Sequence, residues 1–147
     1  VNTDAVATNK GFYYQYLSVL KKWISNFIYN NSSEIFTEVD QDIKEVGESL
    51  IFTQVKCYTS NFSLNSEEVK NTIFNFFILF LKNKEINIET IFCFSTNTKI
   101  SPREKLLSRW ANDENFNVGN LKELYCDKIK EILVKEIKKN LLKSKIL

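Results

Sequence analysis

The hydrophobic periodicity of the chain changes along its length, and the order of these changes restricts the fold more than any other feature. Apolar residues recur with helical spacing in the first segment, 9–29, at Tyr13, Leu17, Leu20, Ile24, Phe27 and Ile28. Two stretches follow, 34–43 and 49–58, in which apolar and polar residues alternate, with a turn at 45–48 between them. These patterns predict a helix followed by an antiparallel β-hairpin.

A second helix and a third strand are predicted after the hairpin. Ser66 has the character of an N-cap, and the helix that it starts is expected to end near Lys82. The apolar run Thr90–Thr96 is typical of a buried strand. Because a helix separates this strand from the hairpin, we expect a crossover connection and a parallel pairing.

Two further helices are predicted towards the carboxyl end of the chain. Ser101-Pro102-Arg103-Glu104 has the pattern of a capping box, which predicts a helix from there to about Trp110. Asn120 with Glu123 repeats the pattern before a longer helix. The expected fold class is α/β, with a mixed β-sheet flanked by helices and followed by C-terminal helices.

Composition excludes several classes of enzyme. The chain of 147 residues has no histidine, which excludes serine–histidine and cysteine–histidine mechanisms and the usual histidine zinc sites. Cys57, Cys93 and Cys126 are far apart, so neither a disulfide framework nor a zinc site has support. A net charge of only +2 restricts any nucleic-acid surface to a local patch. Any catalysis must therefore use carboxylates, lysine or a metal ion.

The sequence carries no signal for secretion or membrane insertion. Its apolar run at 73–81 is about half of the ~20 residues that a membrane-spanning helix needs. No signal-peptide pattern precedes the first helix. We therefore expect a cytoplasmic protein that does not contact a membrane, with residues 1–147 forming a single domain that is the N-terminal part of a longer protein.

The predicted hairpin brings polar side chains together. Alternation places Glu38, Asp40 and Asp42 on one face of the first strand, beside Gln54 and Lys56 on the second. A hard cation such as Mg²⁺ takes a few oxygen ligands and keeps several waters, and a nearby lysine can hold or deprotonate an attacking water. This grouping suits phosphodiester hydrolysis. The alternative is a solvated acidic strand face with a surface ion pair of little energetic value.

These residues resemble a known nuclease signature. Asp42 followed by Gln54-Val55-Lys56 on the next strand is similar to the D…(D/E/Q)xK motif of PD-(D/E)xK nucleases. The closer resemblance is to the endonuclease effector domain of CBASS and related STAND antiphage proteins, the CD-NTase-associated endonuclease family. Its landmarks occur in the family's order over about residues 9–98, at Gly11-Phe12-Tyr13-Tyr14-Gln15, Glu38-x-x-x-Asp42-Ile43, Gln54-x-Lys56 and Thr96-Asn97.

The resemblance implies a restriction-endonuclease-like core and a set of metal ligands. Asp42 would be the principal ligand of Mg²⁺ or Mn²⁺, and Gln54 and the Val55 carbonyl would be further ligands. Gln54 stands where the wider superfamily usually has an acid. Lys56 would position the attacking water.

The resemblance also implies auxiliary residues, an activity and partners. Glu38 would be an auxiliary acid, and Gln15 would reach the site from the first helix. The implied activity is cleavage of double-stranded DNA in antiphage defence, with sensor or NTPase regions of the same longer chain and other copies of the protein as partners. Two alternatives stay open, a catalytically inactive nuclease-like module that binds nucleic acid and a nuclease that cuts RNA or tRNA. Basic residues that could bind phosphates are Lys21, Lys22, Lys70, Lys99, Arg103, Lys105 and Arg109.

Overall fold

One mixed sheet and four helices account for the regular structure of the described chain. The structure, a computed structural model, describes the backbone of residues 3–112 and 120–144. Its elements are, in order, α1 (Thr3–Ile28), β1 (Glu34–Val39), β2 (Gln41–Val46), β3 (Leu50–Lys56), α2 (Glu67–Asn83), β4 (Thr90–Thr96), α3 (Lys105–Asn112) and α4 (Asn120–Ser144). Within these residues the sheet has the order β1-β2-β3-β4, with antiparallel pairing up to β3 and parallel pairing between β3 and β4. The protein is therefore mixed α/β, and the parallel crossover through α2 follows the prediction.

The chain divides into two compact units. One consists of Val1–Thr59 with Leu79–Thr98, and the other of Ser60–Ile78 with Lys99–Leu147. The first unit contains α1 and the sheet, and the second contains α3, α4 and the first part of α2.

Helices pack on both faces of the sheet in the first unit. Val55 of β3 packs against Val19 of α1, whereas Phe52 of β3 packs against Leu79 near the end of α2. Because residues 52 and 55 of one strand point to opposite faces, α1 and the end of α2 contact opposite faces of the sheet. The strand β3 is consequently buried from both sides.

The predicted strand 34–43 is two strands in the structure. The chain reverses at Asp40, which alone separates β1 from β2. Asp40 has a φ of 64° and Glu38 a φ of 58°, both in the left-handed region that side chains other than glycine, asparagine and aspartate rarely adopt. The alternating pattern continues through this turn, and no glycine or proline marks it, so the prediction of a single strand was wrong.

The early turn also changes the place of Glu38. This residue lies on the edge strand β1, not on the strand that carries Asp42. Since Thr37 pairs with Ile43, the next residues along the two strands, Glu38 and Asp42, stand opposite each other. The predicted acidic face of one strand is therefore wrong, although the two acids remain neighbours across a strand pair.

α1 contacts the sheet through a small apolar cluster at Val19 and Tyr14 and through polar groups on either side of it. Between residues 9 and 28, Val19 is the only buried residue. Lys22 donates to the buried Glu45 of β2, and Gln15 makes a long contact of 3.5 Å with a carbonyl of β2. The apolar stripe that predicted this helix faces away from the sheet, and its members are all exposed: Tyr13, Leu17, Leu20, Ile24, Phe27 and Ile28.

The second unit has its own buried side chains and a short parallel bridge. Its buried apolar residues include Phe62, Leu64, Val69, Tyr125 and Ile132. Phe62 pairs with Ile100 in an isolated bridge. Lys139 of α4 forms an ion pair with Glu67 of α2 and lies 3.5 Å from the buried carboxylate of Glu136.

α3 begins later than the capping box predicted. The amide of Ser101 donates to the carbonyl of Phe62 (2.7 Å), so Ser101 belongs to the bridge and not to the helix. Glu104 is the residue that caps α3, since its Oε1 accepts hydrogen bonds of 3.1 and 3.3 Å from the amides of Leu106 and Leu107. A tertiary contact has moved the start of the helix.

Replacing Glu38 with asparagine should stabilise the first hairpin. Asparagine tolerates left-handed backbone better than glutamate, so we expect the free energy of unfolding to rise by about 0.5–1 kcal/mol. The measurement is urea-induced unfolding. Glu34→Asn, on the same strand and also exposed, is the matched control and should give no gain. Equal changes in both variants would show that the backbone at Glu38 is not strained.

Candidate active site

The candidate site lies where the ladder between β2 and β3 ends. The last paired residues are Ile43 and Thr53. Beyond this pair, β3 donates to the side chain of Asp42 and not to the main chain of β2. Oδ2 of Asp42 accepts a 2.7 Å hydrogen bond from the amide of Val55 and another from Nε2 of Gln54. The carboxylate of Asp42 is therefore held between the two strands, near the carboxyl end of β3.

Lys56 ends β3 on the same face as Gln54. Alternate residues of a strand share a face, so the side chain of Lys56 leaves the sheet on the side where Gln54 meets Asp42. Lys56 is half-buried, and within residues 3–112 and 120–144 its ammonium forms no salt bridge. A shared water or metal between Asp42 and Lys56 requires this common face.

Of the remaining predicted residues, only Val55 makes a hydrogen bond to the carboxylate of Asp42 within the described chain, whereas Gln15 and Glu38 lie near it. Gln15 Nε2 approaches the main-chain oxygen of Asp42 at 3.5 Å, so α1 reaches the site through the backbone. Glu38 is exposed and stands across from Asp42 on β1. Val55, predicted to offer its carbonyl, contributes its amide to Asp42. The structure thus brings Asp42 and Gln54 into direct contact and places Lys56 on their face.

Lys44 is a basic residue of this face that sequence reasoning missed. It pairs with Phe52 across the strands, and its ammonium lies 5.7 Å from the centroid of that ring. The same ammonium lies 3.2 Å from Oδ2 of Asp40. The spacing of two residues between Asp42 and Lys44 does indicate a common face of the strand. Because a turn was predicted at 45–48, however, Lys44 was not counted as a residue of that strand.

A partly buried ion pair occupies the opposite face, beneath α1. Lys22 donates to Glu45, which belongs to β2 and is buried. Burial raises the pKa of the Cys93 thiol; the charge of Lys22 opposes this shift and the charge of Glu45 adds to it. Glu45 lies in β2, where it pairs with Ile35 and Ile51, so the prediction that the turn begins at Glu45 was wrong. The phosphate contact of Lys22, whose ammonium pairs with Glu45, stays a prediction.

The donor set suits a hard cation that keeps most of its waters. Oδ1 of Asp42 has no hydrogen bond to the described residues, and a half-turn of the Gln54 amide would present its oxygen in place of its nitrogen. In the described part of the chain, no three aspartate, glutamate, cysteine or histidine side chains converge as a metal cluster. Mg²⁺ is commonly bound by one or two carboxylates together with substrate phosphates. The residues therefore fit Mg²⁺ or Mn²⁺ bound with a phosphate, and they do not fit an all-protein cage.

Asn97 holds the end of β3 in place. Its Oδ1 accepts a 2.7 Å hydrogen bond from the amide of Tyr58, and its Nδ2 donates to the carbonyl of the same residue at 3.0 Å. The side-chain amide thus imitates a strand residue and ties the segment after β3 to the segment after β4. The landmark Thr96-Asn97 consequently supports the backbone that carries Lys56, which pairs with Thr96.

Comparison of the chain with protein-family models, with curated proteins and with solved structures finds no match in any of the three. Among the residues that the structure describes, no helix combines the length and the apolar character needed to cross a membrane. The nuclease family is therefore still a prediction, carried by the residues of the site themselves.

Gln54→Glu should make the stability of the protein depend on divalent cations. Without metal, the change replaces an amide donor with a second carboxylate beside Asp42, and we expect the Tm to fall by about 5 °C. Mg²⁺ should restore it, because a carboxylate is a better ligand for a hard cation than an amide oxygen. The measurement is thermal unfolding in EDTA and in Mg²⁺, with Asn87→Asp in an exposed loop as the control for charge. A Tm of Gln54→Glu that does not respond to Mg²⁺ would contradict a cation site at Asp42.

Cys93 should react with iodoacetamide more slowly than Cys57 and Cys126 at about pH 8. The thiolate is the reactive form, and the raised pKa of Cys93 leaves less of it at this pH, whereas the other two thiols are exposed. Peptide mapping by mass spectrometry during the reaction gives the three rates. Equal rates would show that α1 does not cover this part of the sheet.

Proposed function

We propose that the protein is a metal-dependent endonuclease that hydrolyses phosphodiester bonds of double-stranded DNA. The observation that carries this proposal is the contact between Asp42 and Gln54 at the end of β3, with Lys56 on the same face. The mixed sheet with helices on both faces of β3 is the arrangement expected of a restriction-endonuclease-like core. From the resemblance we further propose an antiphage effector that acts in the cytoplasm, as part of a longer chain with sensor or NTPase regions.

Asp42 and Gln54 are the proposed holders of Mg²⁺ or Mn²⁺. The amide of Val55 fixes the orientation of the Asp42 carboxylate through Oδ2, which leaves Oδ1 available as a ligand. When bound, the cation supplies Lewis-acid polarisation of the phosphate and neutralises its growing charge. Glu38, opposite Asp42 on the edge strand, is the proposed auxiliary acid, as the resemblance implies.

Lys56 is the proposed water-positioning residue. Its ammonium is not consumed by a salt bridge in the described chain, so it can donate to the attacking water and to a phosphate oxygen that gains charge in the transition state. The pairing with Thr96 and the clamp formed by Asn97 restrict the backbone at this position. A restricted backbone reduces the freedom of the side chain before substrate arrives.

A second candidate is a nuclease-like module that binds nucleic acid without cutting it. Gln54 donates to the carboxylate that would be the principal ligand, and the second acid, Glu38, lies on a separate strand. A cleavage assay together with a binding assay separates the two candidates. Parallel reactions with RNA and tRNA decide whether the substrate is DNA.

Lys56→Ala should abolish cleavage and leave the stability of the protein unchanged. The lysine has no partner to lose in the described structure, whereas loss of a group that stabilises the transition state lowers the rate by about 100-fold or more. The measurement is conversion of supercoiled plasmid in Mg²⁺, with EDTA as the metal control. Lys84→Ala, an exposed lysine of the first unit, is the matched control and should cut at the wild-type rate.

Asp42 needs a conservative variant for the same assay. Asp42→Ala would leave the buried amide of Val55 unpaired, at a cost of about 1–3 kcal/mol. Asp42→Asn keeps an acceptor for that amide and removes the charge, so it should be folded and inactive. Cleavage at the wild-type rate by purified Asp42→Asn or Lys56→Ala would contradict the assigned roles.

A further inference from the structure

The proposed site does not account for the apolar outer face of α1. Its main residues, which we name the α1 seam, are Tyr13, Tyr16, Leu20, Trp23 and Phe27. They follow one another at intervals of three, four, three and four residues, which is the heptad spacing of a helix that packs along another helix. Leu17, Ile24 and Ile28 flank the seam. The exposed fraction of these eight side chains ranges from 48% for Leu20 to 85% for Phe27.

The protein's own sheet does not use this seam. The side of α1 that contacts the sheet carries the Lys22–Glu45 ion pair, the Gln15 contact and a 3.4 Å hydrogen bond from Asn26. An amphipathic surface helix normally turns its apolar side to the core and its polar side to water. In α1 the side towards the sheet is mixed, with Val19 and Tyr14 in an apolar cluster beside these polar groups, whereas the outer side is apolar. A contiguous exposed apolar patch of this size marks an interaction site.

We propose that two copies of this chain associate through their α1 seams, with the two α1 helices packed against each other about a two-fold axis. An aromatic side chain contributes about 150–250 Å² of contact area. With four aromatic residues more than half exposed, and with its flanking aliphatic residues, the seam offers on the order of 1,000 Å², above the roughly 800 Å² per partner of a standard stable interface.

The charge pattern favours a second copy as the occupant. No residue of the seam or its flanks is charged, and the only charged residues between 9 and 28 are Lys10, Lys21 and Lys22. Two seams that meet therefore bring no like charges together, as an interface that uses the same patch on both partners requires. An interfacial membrane helix instead carries many lysines or arginines on its polar face, and in α1 that face is turned to the sheet.

A dimer of this kind would join two candidate active sites. α1 carries both the seam and Gln15, which contacts the backbone of Asp42. Breaking both strands of a duplex needs two cuts, and linking two sites raises their effective concentration on one DNA molecule. This consequence rests on the proposed function, whereas the dimer itself does not.

Sedimentation equilibrium of the full chain, without DNA, tests the dimer. The wild-type chain is expected to show a reversible monomer–dimer equilibrium. Leu20→Glu and Phe27→Glu should each raise the dimer dissociation constant by on the order of 100-fold, because each buries an unpaired charge in the apolar interface. Both positions are exposed in a single chain, so circular dichroism and urea unfolding of the monomer should stay unchanged. Val134→Glu, an exposed apolar position of α4, is the matched control and should dimerise like the wild type.

Three results would overturn the proposal. A wild-type chain that is monomeric throughout the soluble concentration range would do so, and so would a dimer that survives both seam substitutions. The third is a monomer that binds vesicles of phosphatidylcholine and phosphatidylserine, seen as a blue shift of Trp23 fluorescence in a Trp110→Phe background. Because plasmid cleavage is measured separately, failure of the dimer leaves the proposed nuclease standing, and failure of the nuclease leaves the dimer standing.

Discussion

The pairing of β3 on both edges is the interaction on which the rest of the first unit depends. β2 joins it antiparallel and β4 joins it parallel, while Val55 and Phe52 carry the contacts to α1 and α2. A strand fixed on two edges and two faces has little freedom at its end. Gln54 and Lys56 therefore leave the sheet from a rigid base, which the proposed positioning of a cation and a water would require.

Sequence patterns were sufficient where local signals and tertiary contacts agree. The apolar run of β4 and the N-cap of α2 predicted elements that the structure has at the same places. They failed where the signal for a turn was weak, since the chain reverses at Asp40, a residue that suits a turn but stands within an alternating pattern without glycine or proline. They also failed at Ser101, where a hydrogen bond to Phe62, distant in the sequence, outweighed a strong local capping pattern.

In the candidate site, too, local sequence patterns predicted some contacts and missed those that depend on tertiary structure. A hairpin with polar residues on one face is enough to predict that Asp42 meets Gln54, but the bond from Asp42 to the Val55 amide depends on where the strand ladder stops. The periodicity of α1 likewise identified a helix and its apolar face without indicating what that face packs against. The ion pair between Lys22 and Glu45 was not predicted either, because a pattern of charges does not specify partners that are distant in the sequence.

Asn97 has a consequence for the chemical ageing of the protein. Its side-chain amide acts as both acceptor and donor towards the backbone of Tyr58, as a residue of a neighbouring strand would. Deamidation to aspartate would keep the acceptor but replace the donor nitrogen with a charged oxygen facing the Tyr58 carbonyl. Slow hydrolysis of this one side chain during storage would therefore loosen the strand end that carries Lys56 without altering any residue of the site.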